Sequence, residues 1–517
     1  MGEPGAEART GKRAFRGLRL RQGPDERYDA VVIGAGIGGL ICANLLARDG
    51  LRTLLVEQHY MVGGYCSTFR RKGFTFDAAS HFYPLLGNPD SITGRLLGEL
   101  GVRTRWVKMD PVDHFRFPDG SRFSVPADFD TYLERLRTEF PEEREGLRRF
   151  FAEVEETYRL GLLYFFRGRN TRKLDRYRDM TLREALDRHF TNAKLKLLLT
   201  ADGPHWGAPP CRTSFIFDSM LRLSYFLGNY YPVGGSQAFA DELAHRFEEQ
   251  GGHVLMNTPV TRILAEDGSV HGIEVETGPK RNRSRKRVHA DVVVSNADLL
   301  QTLEEMLGPE HVGEDYLQPI RQMRPTYPCF LTHIGLRGVS TELLREIQGY
   351  YWNDWDPDLL ARNGLKFKIF IPTLFEPAMA PPGDHVMILQ KVVDPDYYGV
   401  ADGASHKAEI EGYILENLEA VAPGLLKHAV VTMSASAQTS YRFTRNHRGA
   451  MLGWEMSPDQ LGDRRVSIVG PLKNLYFTGH WTQPGGGITP VIVSAMQVAT
   501  AVARGRDRVL SPTMASA

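Results

Sequence analysis

The sequence predicts an α/β protein in which a parallel-sheet domain is interleaved with an α+β domain that carries a helical cap. Three observations predict this class. A strand, a glycine-rich turn and a helix follow one another over Tyr28–Arg48. Apolar residues recur at helical spacing from 128 to 227, and parallel-strand patterns return after long intervals, near 290 and near 475. At 517 residues the chain is also too long for one simple core.

The first motif is a glycine-rich turn that follows a buried strand. Ala30–Ile33 is a short apolar run, and Gly34, Gly36 and Gly39 come next in G-x-G-x-x-G spacing. The first glycine allows a tight turn, the second lets a pyrophosphate approach the backbone, and the third lets the next helix pack closely. That helix, Leu40–Arg48, offers phosphates its free N–H groups and the positive end of its dipole. The motif predicts a Rossmann-type dinucleotide site.

An acid follows at the interval that this kind of site requires. The apolar strand Thr53–Val56 leads to Glu57, 23 residues after Gly34, close to the roughly 20-residue interval at which an acid binds a ribose diol. A glycine-rich surface turn with a solvated glutamate is the alternative, which the order of strand, turn, helix, strand and acid disfavours. Gly63 and Gly64 then form a second glycine turn, where backbone can pass close to a larger cofactor.

This arrangement resembles the FAD-binding amino-terminal region of the amine-oxidase and phytoene-desaturase superfamily. The resemblance continues in three later blocks, Tyr231–Ile263, Ala290–Ala297 and Asn474–Ala499. Within the superfamily the sequence is most similar to the carotenoid desaturase and carotenoid cis–trans isomerase branch, with retinol saturase as a related member. The resemblance implies an FAD-dependent oxidoreductase that acts on a long hydrophobic polyene or isoprenoid.

The resemblance also carries cofactor contacts onto later positions of the chain. Val260 is expected beside the adenine, and the ribityl chain and isoalloxazine are expected to contact Gly479, Gly487, Ile488 and Thr489. The family often has an acid where this chain has His480, whose imidazole is expected to donate to a phosphate oxygen. The glycines before the last helix place its N-terminus where it can stabilise negative charge on the flavin.

Four residues are candidate acid/base groups, because each lies in a block expected to approach the flavin or the substrate: His81, His333, Glu376 and His480. A desaturase needs a base near the carbon that loses a proton, a saturase transfers the hydride in the reverse direction, and a cis–trans isomerase has no net redox change. A lone histidine is more often a structural residue. The sequence does not separate the three reactions.

The blocks divide the chain into interleaved segments. Residues 1–27 are predicted to be a disordered tail, because they are rich in charge and glycine and lack an apolar stretch. The remaining predicted segments are FAD-binding parts at 28–110, 231–298 and 446–508, the substrate domain with its helical cap at 111–230, and a second substrate-domain part at 299–445.

Composition narrows the class of partner. A net charge of +1 argues against nucleic-acid binding. The four cysteines lack metal-ligand spacing, which predicts no metal site and a reducing compartment. No uncharged apolar run reaches 18 residues, so we expect no membrane span and a cytoplasmic location. Residues 160–178 and 214–231 join apolar aromatics to basic residues and are candidates for peripheral membrane contact, with an internal pocket as the alternative.

Two other functions stay open beside the polyene oxidoreductase. An amine oxidase of the same superfamily would have an aromatic cage around an amine and a polar entrance. A non-catalytic isoprenoid-binding protein, like the prenylated-GTPase escort proteins that share the fold, is disfavoured because this chain retains both the second glycine turn and the terminal glycine-rich helix start. The oligomeric state is left open.

Overall fold

The computed structural model describes residues 24–167, 172–205, 207–278, 282–362, 364–394, 396, 399 and 403–510. The strands are β1 (Arg27–Ile33), β2 (Thr53–Val56), β3 (Thr68–Arg71), β4 (Phe74–Asp77), β5 (Trp106–Lys108), β6 (Asp113–Arg116), β7 (Arg122–Val125), β8 (Tyr230–Pro232), β9 (His253–Leu255), β10 (Val260–Glu266), β11 (Ser269–Thr277), β12 (Ser284–Ser295), β13 (Cys329–Arg337), β14 (Gly349–Trp352), β15 (Leu365–Phe370), β16 (Asp384–Val392), β17 (Ala429–Ala435) and β18 (Leu475–Phe477).

The helices are α1 (Ile37–Arg48), α2 (Ile92–Glu99), α3 (Phe129–Glu139), α4 (Arg144–Arg167), α5 (Arg172–Asp175), α6 (Leu182–His189), α7 (Ala193–Leu198), α8 (Phe215–Phe226), α9 (Ser236–Glu249), α10 (Pro309–Val312), α11 (Glu314–Arg321), α12 (Thr341–Ile347), α13 (Gly403–Val421), α14 (Ala437–Thr444) and α15 (Ile488–Leu510), with a π-helix at Gln301–Leu307.

The first large sheet has the strand order β10-β11-β12-β1-β2-β9, and β18 also pairs with β12. Strands β12, β1, β2, β9 and β18 run parallel, with Ala30 of β1 between Val292 and Thr53. The central strands are apolar because helices α1, α9 and α15 cover one face, while the π-helix and neighbouring loops cover the other. The predicted parallel α/β architecture is confirmed in this sheet.

The second large sheet, in the order β17-β13-β16-β15-β14-β6-β7, is antiparallel except where β14 meets β6. The hairpin β6–β7 turns at Asp119–Gly120, where Gly120 adopts a φ of +79°. Strands β13 and β16 pair in unbroken register from Cys329 opposite Val392 to Arg337 opposite Asp384. Because the chain passes from one sheet to the other and back, residues far apart in sequence meet between the sheets.

The helical cap buries one of the two segments expected to contact a membrane. Helix α8 lies within 214–231 and packs on α4, and its large apolar residues, including Phe215, Phe217 and Tyr225, are buried. Segment 214–231 therefore fits the alternative of an internal apolar segment, although Leu227 near its end is 47% exposed. In the other segment, residues 168–171 lie outside the described residues, and Leu163 at the end of α4 is 41% exposed.

The carboxyl-terminal helix tests the expectation that nothing spans a membrane. In the described chain, Ile488–Gly505 of α15 is long and apolar enough to cross a bilayer by length and composition. Its residues Ile492, Ala495 and Val498 are, however, fully buried in the cluster that contains α1. A core helix of a globular protein meets the same criterion, and because 39% of this stretch is buried, packing on α1 accounts for its inward face. Of the predicted tail, residues 1–23 lie outside the described residues.

Candidate active site

A cavity of about 590 Å³ opens at the carboxyl ends of the parallel strands. Ile33 and Val56, the last residues of β1 and β2, line it, together with Asn296, which follows β12. Ligands of open α/β sheets bind at this edge because the loops that follow the strands converge there. The volume lies within the range of roughly 300–1,000 Å³ typical of ligand and cofactor pockets.

The two glycine turns form one wall of this cavity, which we call the opening wall and define as residues 34–39 and 63–64. Gly34 has a φ of +92° and Gly63 a φ of +111°, values that L side chains rarely adopt. Gly36 and Gly63 form an isolated parallel bridge, in which the Gly63 N–H donates to the Ala35 carbonyl at 2.8 Å. A Cβ atom on Gly63 would lie 2.4 Å from the Cys66 carbonyl oxygen. Glycine is therefore required by geometry at this wall.

Glu57 is fixed at the edge of the opening wall by backbone donors. The Ala35 N–H donates to Oε2 at 2.7 Å, and the His59 N–H donates to Oε1 at 2.8 Å. Burial raises the pKa of this carboxyl, against the lowering effect of these N–H groups. An ionised carboxylate has about four acceptor sites, so Glu57 can still accept a further hydrogen bond. That is what a ribose diol requires.

The opposite wall comes from the carboxyl-terminal block; we call residues 479–488 the closing wall. A Cβ atom on Gly38 would lie 3.2 Å from Cα of Gly479, so the first and last motifs of the chain are in contact. The Gly479 N–H donates to Ser494 Oγ at 2.9 Å, which fastens this turn to α15. Between the walls, Asn296 Nδ2 donates to the Gly34 carbonyl oxygen at 3.3 Å.

Most residues predicted to bind the cofactor lie together on the cavity surface. These are Gly34, Gly36, Glu57, Gly63, Gly64, Val260, Gly479, His480, Gly487 and Ile488. Two predicted residues do not line it. A Cβ atom on Gly39 would lie 2.0 Å from the Gly34 carbonyl oxygen, so Gly39 serves helix packing. The Thr489 hydroxyl donates to the Pro84 carbonyl at 2.9 Å, which connects α15 to the 81–87 loop.

Sequence reasoning missed Asn296 and Asn446, both of which line the cavity. Asn296 could have been found, because it is the first polar side chain after the apolar end of β12, at the edge of the sheet where ligands bind. Asn446 follows α14 in a stretch without a motif. Only the tertiary structure places it beside the closing wall.

Two of the four acid/base candidates lie away from the cavity surface. His81 stacks on Phe370 with ring centroids 4.6 Å apart, and its Nδ1 is 2.9 Å from the Ala79 carbonyl oxygen. Glu376 accepts from the Gly234 N–H at 2.7 Å and from the Ala378 N–H at 3.1 Å. The structure therefore places both residues outside the cavity, with the two Glu376 oxygens accepting backbone N–H bonds and the His81 ring packed on Phe370.

The other two candidates, His333 and His480, do line the cavity. His333 Nε2 lies 3.0 Å from the Asp77 carbonyl oxygen, which can only accept, so this nitrogen carries a proton and donates it. Burial lowers the pKa of His333 to about 4, and burial together with the nearby Arg465 guanidinium lowers that of His480 to about 3. Both rings are neutral at pH 7, and a neutral imidazole with so low a pKa is a weak general base.

A buried arginine holds the closing wall in place. Arg465 uses all five of its N–H donors on backbone carbonyl oxygens, those of Thr482, Glu455, Gln460, Trp454 and His480, at 2.7–3.4 Å. Burial lowers the pKa of its guanidinium to about 9. The arginine thereby ties residues 454–460 to residues 480–482.

The cavity carries little charge for its size. Among the described lining residues, the carboxylate is that of Glu57 and the cationic side chains are Arg71 and Arg445. Leu331, Met433 and Met451 form an apolar surface beside His333. A chamber of this kind suits an apolar substrate, because a buried charge needs a partner and the Glu57 carboxylate is already held by two backbone N–H groups.

The residues present fit FAD. Helix α1 begins after Gly36 without a side-chain cap, so the N–H groups of its first turn can bind phosphate. The glycines of the opening wall bring bare backbone to the cavity surface, and Glu57 retains acceptor capacity for a ribose. Gly36 and Gly38 would hold the pyrophosphate, Glu57 and Val260 the adenosine, and the closing wall the ribityl chain and ring.

Comparison with known proteins agrees with this geometry. Residues 37–503 match the family described as flavin containing amine oxidoreductase. Prolycopene isomerase 2 from an Oncidium hybrid cultivar is 27% identical over 92% of this chain and 84% of its own. The all-trans-retinol 13,14-reductase of Danio rerio is 28% identical over 63% of this chain and 57% of its own. Putrescine oxidase bound to putrescine superposes with a TM-score of 0.65 at 14% identity, over 93% of this chain and 100% of that one.

Proposed function

We propose, since the chain belongs to the flavin-containing amine oxidoreductase family, that this FAD-dependent oxidoreductase acts on a long hydrophobic polyene or isoprenoid. The observation that carries the proposal is the apolar part of the cavity surface, formed by Leu331, Met433 and Met451, together with the lack of a carboxylate other than Glu57 among the described lining residues. Relatives that align over 92–93% of the chain are named prolycopene isomerases, which supports the same substrate class. FAD supplies hydride or electron transfer when bound.

Of the three possible reactions, we favour cis–trans isomerisation. Desaturation needs a base and saturation needs an acid, and the candidates His333 and His480 are neutral imidazoles with pKa values of about 4 and 3. His81 and Glu376 lie outside the cavity surface. An isomerase requires neither a net proton transfer nor a terminal electron acceptor. The protein's own contribution is to hold the flavin between the two walls and to exclude water from the apolar chamber.

The alternative within the family is an amine oxidase, which the solved structure of putrescine oxidase represents. That fold-level likeness carries no substrate preference, because its sequence identity to this chain is only 14%. An amine oxidase would need an aromatic cage around the amine and a polar entrance, whereas Leu331, Met433 and Met451 line this cavity with aliphatic side chains. The described lining of this cavity offers Glu57 alone as a carboxylate, at the predicted adenosine end rather than beside His333.

The substrate assay separates these functions directly. Purified protein with FAD, oxidised or chemically reduced, is incubated without oxygen with a cis-carotenoid, a phytoene-like polyene and simple amines. Isomerisation predicts a product with the same mass and number of double bonds and a changed chromatographic and absorbance profile. A product with more or fewer double bonds would show that the reaction is desaturation or saturation, not isomerisation. Bleaching of the flavin by an amine, with the polyenes unchanged, would contradict the proposed substrate class.

Gly36→Val is the negative control for this assay, because it should lose FAD. Gly36 lines the cavity with an ordinary φ of −67°, and a Cβ there would meet only the Asn296 side chain, at 3.0 Å, so valine is allowed if that amide moves slightly, and its side chain would occupy the place assigned to the pyrophosphate. We expect folded, colourless protein without polyene activity. Stoichiometric FAD in Gly36→Val would contradict the placement of the cofactor, and thermal unfolding near the wild-type temperature would show that the fold is retained.

We also propose a cytoplasmic location with peripheral membrane contact through the end of α4. Leu163 is 41% exposed there and Arg172 and Lys173 follow nearby. Two other basic residues of this segment, Arg176 and Arg178, pair with Glu156 and Asp463, so they contribute less to lipid binding. Flotation with anionic vesicles should fall for Leu163→Asp, and unchanged flotation would contradict the contact.

A further inference from the structure

Three side chains form a hydrogen-bonded series that ends at the closing wall. Trp481 Nε1 lies 3.1 Å from Asn446 Oδ1, and His480 Nε2 lies 3.1 Å from the same oxygen. Asn446 and Trp481 are buried, at 8% and 3% exposure, whereas His480 stays partly accessible through the cavity that it lines. The series begins in the core and reaches the cofactor cavity.

The indole fixes the direction of every bond in this series. An indole N–H can only donate, so the Asn446 atom that faces it must be the amide oxygen. A carbonyl oxygen can only accept, so the His480 nitrogen that faces the same atom must carry a proton. This assigns the proton of His480 to Nε2 from the hydrogen-bonding partners alone.

The other ring nitrogen is then an acceptor. A neutral imidazole carries one proton, so with Nε2 protonated Nδ1 has a free lone pair. Within the described part of the chain, no donor contacts Nδ1, and Nδ1 is not among the buried polar atoms that lack a partner. The free acceptor therefore belongs to a side chain on the cavity surface, between Gly479 and the core.

We propose that Asn446 and Trp481 are positioning residues that hold His480 with its proton on Nε2, so that Nδ1 accepts a hydrogen bond from a ribityl hydroxyl of FAD. The inference rests on the proposed placement of the flavin between the two walls. It replaces the expected donation to a phosphate oxygen, which would need a proton on Nδ1. His480 thereby supplies an acceptor without adding a negative charge beside the flavin.

Two substitutions of the same residue separate this role from a structural one. The amide oxygen of His480→Asn can occupy the position of Nδ1 but cannot reach Asn446. The amide of His480→Gln can reach Asn446 in place of Nε2 but has no atom at the position of Nδ1. The dissociation constant of FAD is measured for the wild type and both variants by titrating each apoprotein and following flavin fluorescence.

We expect His480→Gln to bind FAD roughly tenfold more weakly, the effect of one lost hydrogen bond, and His480→Asn to stay within about threefold of the wild type. The order would be reversed if His480 served only to hold Asn446. A reversed order, or equal affinities in the two variants, would overturn the proposal. Thermal unfolding of the three apoproteins reports any structural cost separately.

A second measurement reads the proton itself and does not depend on bound FAD. In protein labelled with nitrogen-15 histidine, the signals of His480 are those absent from His480→Asn. We expect one protonated and one unprotonated ring nitrogen from pH 6 to pH 8, with a tautomer mixture appearing in Trp481→Phe. A single proton on Nδ1, or two protons, would overturn the assignment. Failure of the wild type to bind FAD would instead refute the proposed cofactor placement.

Discussion

The two walls of the cavity are built by different means. The opening wall consists of backbone: its turns at Gly34 and Gly63 need positive φ values and the absence of side chains. The closing wall depends on side chains, since Arg465 bonds five carbonyl oxygens and Asn446 and Trp481 orient His480. A backbone wall leaves a readable motif in the sequence. A wall held by long-range side-chain contacts leaves almost none.

The largest expected effect is on the closing wall. Arg465→Met should lower the free energy of unfolding by about 4 kcal/mol, because five buried carbonyl oxygens lose their donor and each unsatisfied polar group is costly. Chemical denaturation of the apoprotein measures this. The neighbouring Arg464→Met is the control: Arg464 pairs with the exposed Asp179, and its loss should cost about 0–1 kcal/mol. Equal losses in both variants would contradict the role assigned to Arg465.

A smaller effect is expected on the opening wall. The Cβ atom of Gly39→Ala would lie 2.0 Å from the Gly34 carbonyl oxygen, and we expect a loss of about 3 kcal/mol together with weaker FAD binding. Denaturation and flavin titration of the same protein test both. Gly98→Ala is the matched control, because a Cβ atom there meets nothing within 4 Å and the residue lies in α2. This change should be neutral or slightly stabilising, since alanine favours a helix.

The smallest expected effect concerns His81, which lies away from both walls. Burial and then Lys368 lower the pKa of His81 to about 3. Because the pKa of His81 is lower in the folded protein than the value of about 6.5 in the unfolded chain, the unfolded chain binds the proton first as the pH falls. Stability that is present above pH 6.5 is therefore lost on acidification. Between pH 7.5 and 5, His81→Phe should lose about 2 kcal/mol less than the wild type. An identical pH dependence in both proteins would refute this.

His81→Phe is also a control for both walls, because this residue belongs to neither. His81 Nε2 is buried without a partner, so phenylalanine at this position removes an unsatisfied nitrogen while retaining the stacking on Phe370. Because His81 does not line the cavity, the variant should keep its FAD and its activity on polyenes. Loss of activity at unchanged stability would restore His81 as a catalytic candidate.

Much of the fold was predictable because local patterns specify it. The strands, the glycine turns and the Asp119–Gly120 hairpin each depend on residues within a short window, and the structure confirms these elements. For segment 214–231 the burial of α8 supports the alternative of an internal apolar segment, because aromatic residues suit a buried helix as well as an interface. Composition alone cannot distinguish the two.

The sequence by itself determined the dinucleotide motif, the acid at Glu57 and the membership of a flavoprotein family, because each depends on residue type and spacing. Only the tertiary structure decided which histidines reach the cavity and in which proton state. His81 and His333 look equivalent as isolated residues, yet the pairing of β13 in the second sheet brings His333 to the cavity, while packing on Phe370 keeps His81 away. The tautomer of His480 depends on a tryptophan beside it and on an asparagine 34 residues earlier, a contact that only the folded chain creates.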